Sequence, residues 1–185
     1  QLICLPPSKG VFKLFDPFEK TIAEISMALD NNETTSVELV TWYLDRIRQL
    51  DRNGPELCSV FTVNQDALLQ ARMLDENRSN SKHGPLYGIP VIVKDNINTA
   101  DMPTTNGWKD FQHFHPAKNA FVVDKLKDAG AIIIGKSAVT EVIKRDLSEK
   151  GITDGQPKNP YDLTRTPGES SGGTGASVAA NMAAA

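Results

Sequence analysis

The stretch GPLYGIPVIVKDNI, residues 84–97, decides the fold class. Every residue from Ile89 to Val93 is apolar, which is typical of a strand that is buried on both faces. A second strand of this kind is predicted in AFVVDKLKDAGAIIIGKS, residues 120–137, where a helix ends at Gly130 and a continuous apolar run follows. Helices that alternate with doubly buried strands predict an α/β sheet with crossover connections.

The residues before position 80 predict three helices and one strand. FEKTIAEISMALDN predicts a helix whose apolar side contains Ile22, Ile25, Met27 and Leu29. TSVELVTWYLDRIRQLD predicts a second helix, which begins with a capping box formed by Thr35 and Glu38. Its apolar residues repeat at helical spacing, and they are Val37, Val40, Leu44, Ile47 and Leu50. CSVFTV then predicts a strand and QDALLQARMLDEN a third helix.

The glycine-rich end of the chain predicts one further helix. Gly172, Gly173 and Gly175 are followed by small residues almost without charge. A helix from about Ala176 that is small on all sides is expected to be buried and closely packed. A flexible linker would stay polar after its glycines, so a linker is not predicted here.

Composition excludes several classes of function. The 185 residues are 39% hydrophobic and 23% charged, with a net charge of −3, as in an ordinary globular domain. This charge offers no basic surface, so a nucleic acid partner is not predicted. No apolar run approaches the roughly 18 residues that would suggest a transmembrane segment. Cys4 and Cys58 allow either one disulfide or two free thiols, so the compartment stays open.

Two binding motifs are incomplete. Gly168 and Gly173 enclose four residues, as in a phosphate-binding P-loop, but the lysine that this loop requires before Thr174 is absent. His113 and His115 are two residues apart with no cysteine or acidic cluster nearby, which is an unfavourable pattern for a metal site. We therefore predict neither a nucleotide nor a metal.

Lys94 and the pair Ser170–Ser171 are the candidates for chemistry. Lys94 ends a doubly buried strand, so its ammonium either extends into solvent at the rim or stays desolvated. Burial disfavours the charged form of an amine and makes it usable as a general base. Ser170 and Ser171 lie in a glycine-rich bend, where one of them either caps the following helix or joins a Ser–Lys catalytic pair.

Four blocks in this order resemble the amidase signature hydrolases. They are GPLYGIPVIVKDNI, MPTTNG, AGAIIIGKS and KNPYDLTRTPGESSGGTGASVAAN. The resemblance implies an α/β/α sandwich around a mixed sheet, of which this chain is an incomplete N-terminal part. Residues 1–80 are then an N-terminal helical region, and residues 81–185 are the first part of the signature core.

The resemblance also implies an enzyme that hydrolyses a non-peptide amide C–N bond through a Ser–cisSer–Lys triad, without a metal or an organic cofactor. Lys94 would be the base, and Ser170 would be the middle residue, preceded by a cis Glu169–Ser170 bond. Ser171 would support both by hydrogen bonds. The nucleophilic serine and the oxyanion hole would lie past Ala185, in a remainder of the same protein. The chain alone is therefore expected to be inactive, and an amidase-like binding or partner protein is the alternative.

The resemblance implies several classes of substrate. Members of this family act on primary amides, fatty acid amides, peptide C-terminal amides and glutaminyl groups, and the absence of basic strips favours a small-molecule amide. Met102 and Trp108, with Tyr87 and Phe111, either line an apolar acyl pocket or pack in the ordinary way. Glu169 replaces the usual glycine of the family, and its carboxylate either weakens the base or points outward.

Overall fold

The structure is a computed structural model that describes residues 15–79, 83–140 and 156–185. Its α-helices are α1 (Ile22–Asp30), α2 (Ser36–Ile47), α3 (Ala67–Asn77), α4 (Phe121–Asp128) and α5 (Gly172–Ala179). Its strands are β1 (Val60–Val63), β2 (Pro90–Lys94) and β3 (Ile132–Ser137), and single turns of π-helix and 3-10 helix lie at Arg48–Arg52 and Lys109–Phe111. Within the described ranges no helix is long and apolar enough to cross a membrane.

Capping boxes begin the first two helices. At α2 the Thr35 hydroxyl accepts a hydrogen bond from the Glu38 N–H, and the Glu38 carboxylate accepts one from the Thr35 N–H. Thr21 and Glu24 form the same arrangement at α1. Each box satisfies two backbone donors that the helix itself leaves unpaired. The predicted box at Thr35 is confirmed.

The predicted apolar side of α1 is wrong in one position. Ile25 and Leu29 are buried, but Met27 is 58% exposed. Residues three or four apart share a helix face, whereas residues two apart do not. Met27 therefore points away from the face that Ile25 and Leu29 bury.

The three strands form a mixed sheet in the order β1-β3-β2. β3 is parallel to β2 and antiparallel to β1, and all six of its residues are buried. β2 is buried from Pro90 to Val93 and half-buried at Lys94. The Ala184 N–H donates to Pro90 O at 3.0 Å, and the Ile92 N–H donates to Ala185 O at 2.8 Å, so the last residues lie along the other edge of β2. The two predicted doubly buried strands are confirmed.

A β-bulge in β3 changes which side chains face which side of the sheet. Val91 aligns with Ile133 and Ile92 aligns with Gly135, so Ile134 is an extra residue in the ladder. Gly135 accommodates the close approach of β1, because a Cβ there would lie 2.5 Å from Thr62 O. Since strand side chains alternate between faces, one extra residue reverses the facing of every residue that follows it.

Helices cover both faces of the sheet. One core cluster joins the sheet to α2 and α3, and it includes Val40, Trp42, Tyr43, Ile47, Ala67, Ala71, Ile92, Ile132, Ile134 and Met182. The other joins it to α1, with Leu126 of α4 packed against it, and it includes Ile25, Leu29, Leu39, Ile89, Val91, Val93, Met102 and Ile133. The predicted α/β/α sandwich around a mixed sheet is confirmed. Both clusters contain residues from before and after position 80, and the division at that position stays a prediction.

Candidate active site

Lys94 lies at the carboxyl end of β2, where the strand leaves the core. Val93 is 5% exposed and Lys94 is half-buried, so the burial of the strand ends at the lysine. In the parallel ladder Lys94 aligns with Ser137, the last residue of β3. The stem of Lys94 is therefore held by the sheet while its ammonium extends beyond the strand end.

Ser170 meets Lys94 at this edge of the sheet. The Lys94 Nζ donates a hydrogen bond of 2.5 Å to Ser170 Oγ, across a separation of 76 positions. The carbonyl of Ser170 accepts a hydrogen bond of 3.1 Å from the Thr140 N–H, just beyond β3. The structure thus brings together the two residues that the sequence singled out as base and middle serine.

Two glycines allow α5 to approach the sheet closely enough for this contact. A Cβ on Gly172 would lie 2.4 Å from Thr140 Oγ1, and one on Gly173 would lie 2.4 Å from Ala138 O. Separations below 3.0 Å are not found for real side chains, so residues with a Cβ would push the helix away. The close packing of α5 on the sheet explains why both positions are glycine.

The predicted helix at the end of the chain begins earlier than expected and is not buried on all sides. α5 starts at Gly172, four residues before Ala176, because tertiary packing compensates for the low helix propensity of glycine. Gly175 and Val178 are exposed, so one side of this helix faces outward.

The cis bond that the resemblance implied is not present. Among the described residues no peptide bond is cis, so the Glu169–Ser170 bond is trans and that prediction is wrong. A trans bond between non-proline residues is favoured by about 2.5–4 kcal/mol. The contact between Lys94 and Ser170 forms with this lower-energy backbone.

Ser171 and Glu169 both face solvent. Ser171 is the N-cap residue of α5, but its side chain makes no capping hydrogen bond. Glu169 is exposed on the other side of Ser170. The supporting role of Ser171 and the influence of Glu169 on the base stay predictions.

The structure also contains a buried ion pair that the sequence reasoning missed. The Lys136 Nζ lies 3.4 Å from Asp95 Oδ1, and both side chains are almost fully buried. The Lys136 Nζ donates to Thr104 Oγ1 at 2.9 Å and to Pro103 O at 3.2 Å, and the Asp95 carboxylate accepts hydrogen bonds from the Thr105 N–H and hydroxyl. The lysine within AIIIGKS could have indicated this ion pair from the sequence, because a lysine buried in a strand requires an acidic partner.

Burial dominates the ionisation of this pair. It raises the pKa of Asp95 and lowers the pKa of Lys136, while the Thr105 hydrogen bonds and the attraction between the two charges act in the opposite direction. Lys136 aligns with Val93, the residue before Lys94 in β2. Because successive side chains of a strand point to opposite faces, the Lys136–Asp95 ion pair lies on the opposite face of the sheet from Ser170. It ties residues 95–105, which follow the candidate base, to β3.

Met102 and Trp108 lie in different environments. Met102 is 2% exposed and packs in the core with Ile25 and Ile89. Trp108 is 42% exposed and precedes the 3-10 turn, and its backbone N–H donates to Thr105 O at 3.0 Å. Phe111 is also exposed, and Tyr87 donates its hydroxyl to Leu74 O. A role for Met102 and Trp108 in substrate binding stays a prediction.

His113 and His115 are exposed. In the part of the chain that the structure describes, no three His, Cys, Asp or Glu side chains are grouped in a way that would hold a metal ion. Cys58 has a free thiol, and Cys4 lies outside the described residues.

Known proteins match most of the chain. A family model described as Amidase matches residues 38–185. A glutamyl-tRNA(Gln) amidotransferase subunit from Thermoanaerobacter pseudethanolicus is 39% identical over 168 residues, which is 90% of this chain and 34% of that protein. Its counterpart from Thioalkalivibrio sulfidiphilus is 41% identical over 165 residues, with 89% and 33% covered. The chain spans about a third of the length of these curated relatives.

Solved structures agree with the sequence matches. The native peptide amidase of Stenotrophomonas maltophilia is 38% identical with a TM-score of 0.83, covering 90% of this chain and 35% of that one. An amidase family protein of Bacillus anthracis is 37% identical with a TM-score of 0.80, covering 89% and 34%. The family model matches well over half of the sequence, including both Lys94 and Ser170. The chain therefore belongs to the amidase family.

Proposed function

We propose that this protein hydrolyses the C–N bond of a carboxylic amide, with Lys94 as the base and Ser170 as the residue that relays the proton. The observation that carries the proposal is the 2.5 Å contact between Lys94 Nζ and Ser170 Oγ. Membership of the amidase family supports it. So does the pair Gly172–Gly173, which allows α5 to pack closely enough for Ser170 to reach Lys94.

Proton transfer follows a short path in this proposal. The neutral amine of Lys94 takes the Oγ proton of Ser170, and Ser170 takes the proton of a nucleophilic serine hydroxyl. The nucleophile's oxygen then bonds to the amide carbonyl carbon. As the C–N bond breaks, the leaving nitrogen takes a proton back along the same path and departs as ammonia or an amine. Water then cleaves the acyl ester and restores the serine.

The nucleophile itself is not proposed within these residues. The pattern of the family places that serine and the oxyanion hole after the position of Ala185, so we propose that they come from further residues of the same protein. Loss of one oxyanion donor alone typically lowers kcat by about 10²–10³. The 185 residues on their own are therefore proposed to be inactive.

A small-molecule amide is the proposed substrate class. The net charge of −3 over these 185 residues gives no electrostatic reason to propose a tRNA-bound substrate, although the curated relatives are named as glutamyl-tRNA(Gln) amidotransferase subunits. The peptide amidase, at 38% identity, makes a peptide amide the second candidate. Both classes have a carbonyl for the nucleophile and a nitrogen leaving group.

The test uses the whole protein and measures the release of ammonia from a primary acyl amide, a peptide C-terminal amide and glutamine. Lys94→Met and Ser170→Ala are each expected to lower kcat by about 10²–10⁴ on the preferred amide, because each breaks the proton path. Lys125→Met is the matched control, since Lys125 is an exposed lysine on α4. Retained activity in Lys94→Met would exclude the proposed base.

The same assay tests the alternative of a non-catalytic amidase-like protein. Such a protein would release no ammonia from any of the three amides, even with Lys94 and Ser170 intact. Activity of the separate 185-residue chain would contradict the proposed location of the nucleophile.

A further inference from the structure

A pair of hydroxyls joins the strand beside Lys94 to the helix that follows Ser170. Ser137 Oγ and Thr174 Oγ1 are 2.6 Å apart, which is hydrogen-bond distance. Ser137 is fully buried, ends β3 and is the ladder partner of Lys94. Thr174 is the third residue of α5. The hydrogen bond therefore links the sheet edge that holds the amine to the first turn of the helix.

The β3 bulge makes this link possible. Without the extra residue Ile134, the alternation of side chains would turn Ser137 to the opposite face of the sheet. With it, Lys136 faces the 95–105 segment and Ser137 faces α5. The register of β3 thus places Ser137, rather than Lys136, beside Lys94.

The contacts around Ser170 indicate that the Ser137–Thr174 hydrogen bond would control the position of α5 along β3. Ser170 lies two residues before α5 begins, and its carbonyl is held by the Thr140 N–H. Gly173 packs against the backbone of Ala138, the residue after β3, without a side chain of its own. A glycine surface sets the distance of closest approach, but it supplies no directional side-chain contact along the strand. The directional hydrogen bond between Thr174 and Ser137 supplies such a contact and opposes sliding of α5 along β3.

We propose that Ser137 and Thr174 are positioning residues that set the placement of Ser170 over Lys94. The inference rests on the proposed function, because it concerns the geometry of the proposed proton path. Neither side chain touches the substrate or donates a proton to it. A displacement of about 1 Å in a catalytic group can lower the rate by about a hundredfold, so a single hydrogen bond at this point has a measurable effect.

The experiment compares two substitutions of Thr174 in the whole protein. Thr174→Val keeps the shape and removes the hydroxyl, whereas Thr174→Ser keeps the hydroxyl and removes the methyl group. We expect Thr174→Val to lower kcat by about tenfold to a hundredfold with little change in KM. We expect Thr174→Ser to retain most of the activity. Ser137→Ala is expected to match Thr174→Val, and the double variant to be no worse than either, because all three lose one shared bond.

Ser177→Ala is the matched control. The Ser177 hydroxyl is buried on the same helix and donates to Thr174 O at 3.0 Å, within α5 itself. Its loss is expected to lower the melting temperature without changing kcat. Circular dichroism and thermal unfolding of every variant separate a loss of folding from a loss of positioning.

Two results would overturn the inference. If Thr174→Ser loses as much kcat as Thr174→Val, the methyl group acts by packing and the hydroxyl pair does not position Ser170. If Thr174→Val and Ser137→Ala keep the wild-type kcat, the pair has no effect on the reaction. Lys94→Met separates the two proposals: an inactive Lys94→Met beside a fully active Thr174→Val removes only this inference, whereas an active Lys94→Met removes both.

Discussion

The Lys94 Nζ lies 2.5 Å from Ser170 Oγ, although 76 positions separate the two residues. The lysine comes from the end of a buried strand and the serine from the bend before a glycine-rich helix. Their contact depends on how closely that helix packs on the central strand. The first prediction tests this dependence.

Gly173→Ala is expected to destabilise the protein and to lower its activity. The new Cβ would lie 2.4 Å from Ala138 O and 2.8 Å from Ser59 O, and both are backbone atoms that cannot move aside cheaply. Overpacking of this kind costs about 1–3 kcal/mol. Urea unfolding and kcat are the measurements, and we expect both the stability and the rate to fall as α5 moves off β3.

Gly175→Ala is the control for that substitution. Gly175 lies in the same helix, but a Cβ there has open space around it. Replacing a helical glycine by alanine should stabilise the protein by roughly 0.5–1 kcal/mol. Equal losses of stability in both alanine variants would show that the contact of Gly173 with Ala138 and Ser59 is unimportant.

Lys136→Met is expected to lower the free energy of unfolding by about 3–5 kcal/mol near neutral pH, because it leaves the buried Asp95 carboxylate without its partner. The double variant Asp95→Asn/Lys136→Met should cost less than Lys136→Met alone, since the asparagine oxygen still accepts from Thr105 and no buried charge remains. Chemical denaturation of the wild type, Lys136→Met, Asp95→Asn and the double variant gives the coupling energy. Strictly additive losses would contradict an interacting pair.

The pH dependence of the Lys136→Met variant has a definite sign. Burial already raises the pKa of Asp95, and removal of the cation raises it further. A carboxyl group whose pKa is raised by folding favours the folded state at low pH and disfavours it as the pH rises through the raised value. The stability deficit of Lys136→Met should therefore shrink as the pH is lowered from neutrality. A deficit that grows on acidification would contradict this account.

Met102→Ala and Trp108→Ala are expected to behave differently. Met102 is 2% exposed in the core, so its truncation should cost about 2–5 kcal/mol of stability. Trp108 is 42% exposed, so its truncation should change stability by no more than about 0.5 kcal/mol. A rise in KM for amides with an apolar acyl group would support Trp108 as a substrate contact. A rise in KM with unchanged stability in Met102→Ala would instead place Met102 in the binding site.

Glu24 provides a test of the first capping box. Hydrogen bonds from the Thr21 N–H, the Lys20 ammonium and the Thr21 hydroxyl lower the pKa of Glu24 from 4.5 to about 2. A carboxyl group whose pKa is lowered by folding stabilises the protein above its unfolded pKa. That contribution is lost as the pH falls from 4.5 towards about 2. NMR titration of the Glu24 side-chain carboxyl should give a midpoint well below 4.5, near 2, and a midpoint at 4.5 would contradict this account of its hydrogen bonds.

Much of the architecture follows from local patterns. The apolar runs that became β2 and β3, and the Thr35–Glu38 box that begins α2, are predictable because burial on both faces and helix capping depend on residues close together in sequence. Lys94 and Ser170 were identified by family resemblance, and the structure brings them into contact. For Met27 the apolar character alone was misleading, since its angular position on α1 decides its exposure.

The remaining features depend on the alignment of residues that are distant in sequence. One extra residue, Ile134, in the ladder between β2 and β3 turns Lys136 to the Asp95 side of the sheet and Ser137 to the Thr174 side. No local propensity specifies that register, because it results from the packing of Gly135 against Thr62 and of both strands against the two core clusters. The sequence by itself determined the buried strands, the Thr35–Glu38 cap and the candidate residues. The tertiary structure decided which side chains meet, because side-chain facing in a sheet changes with every one-residue shift in pairing.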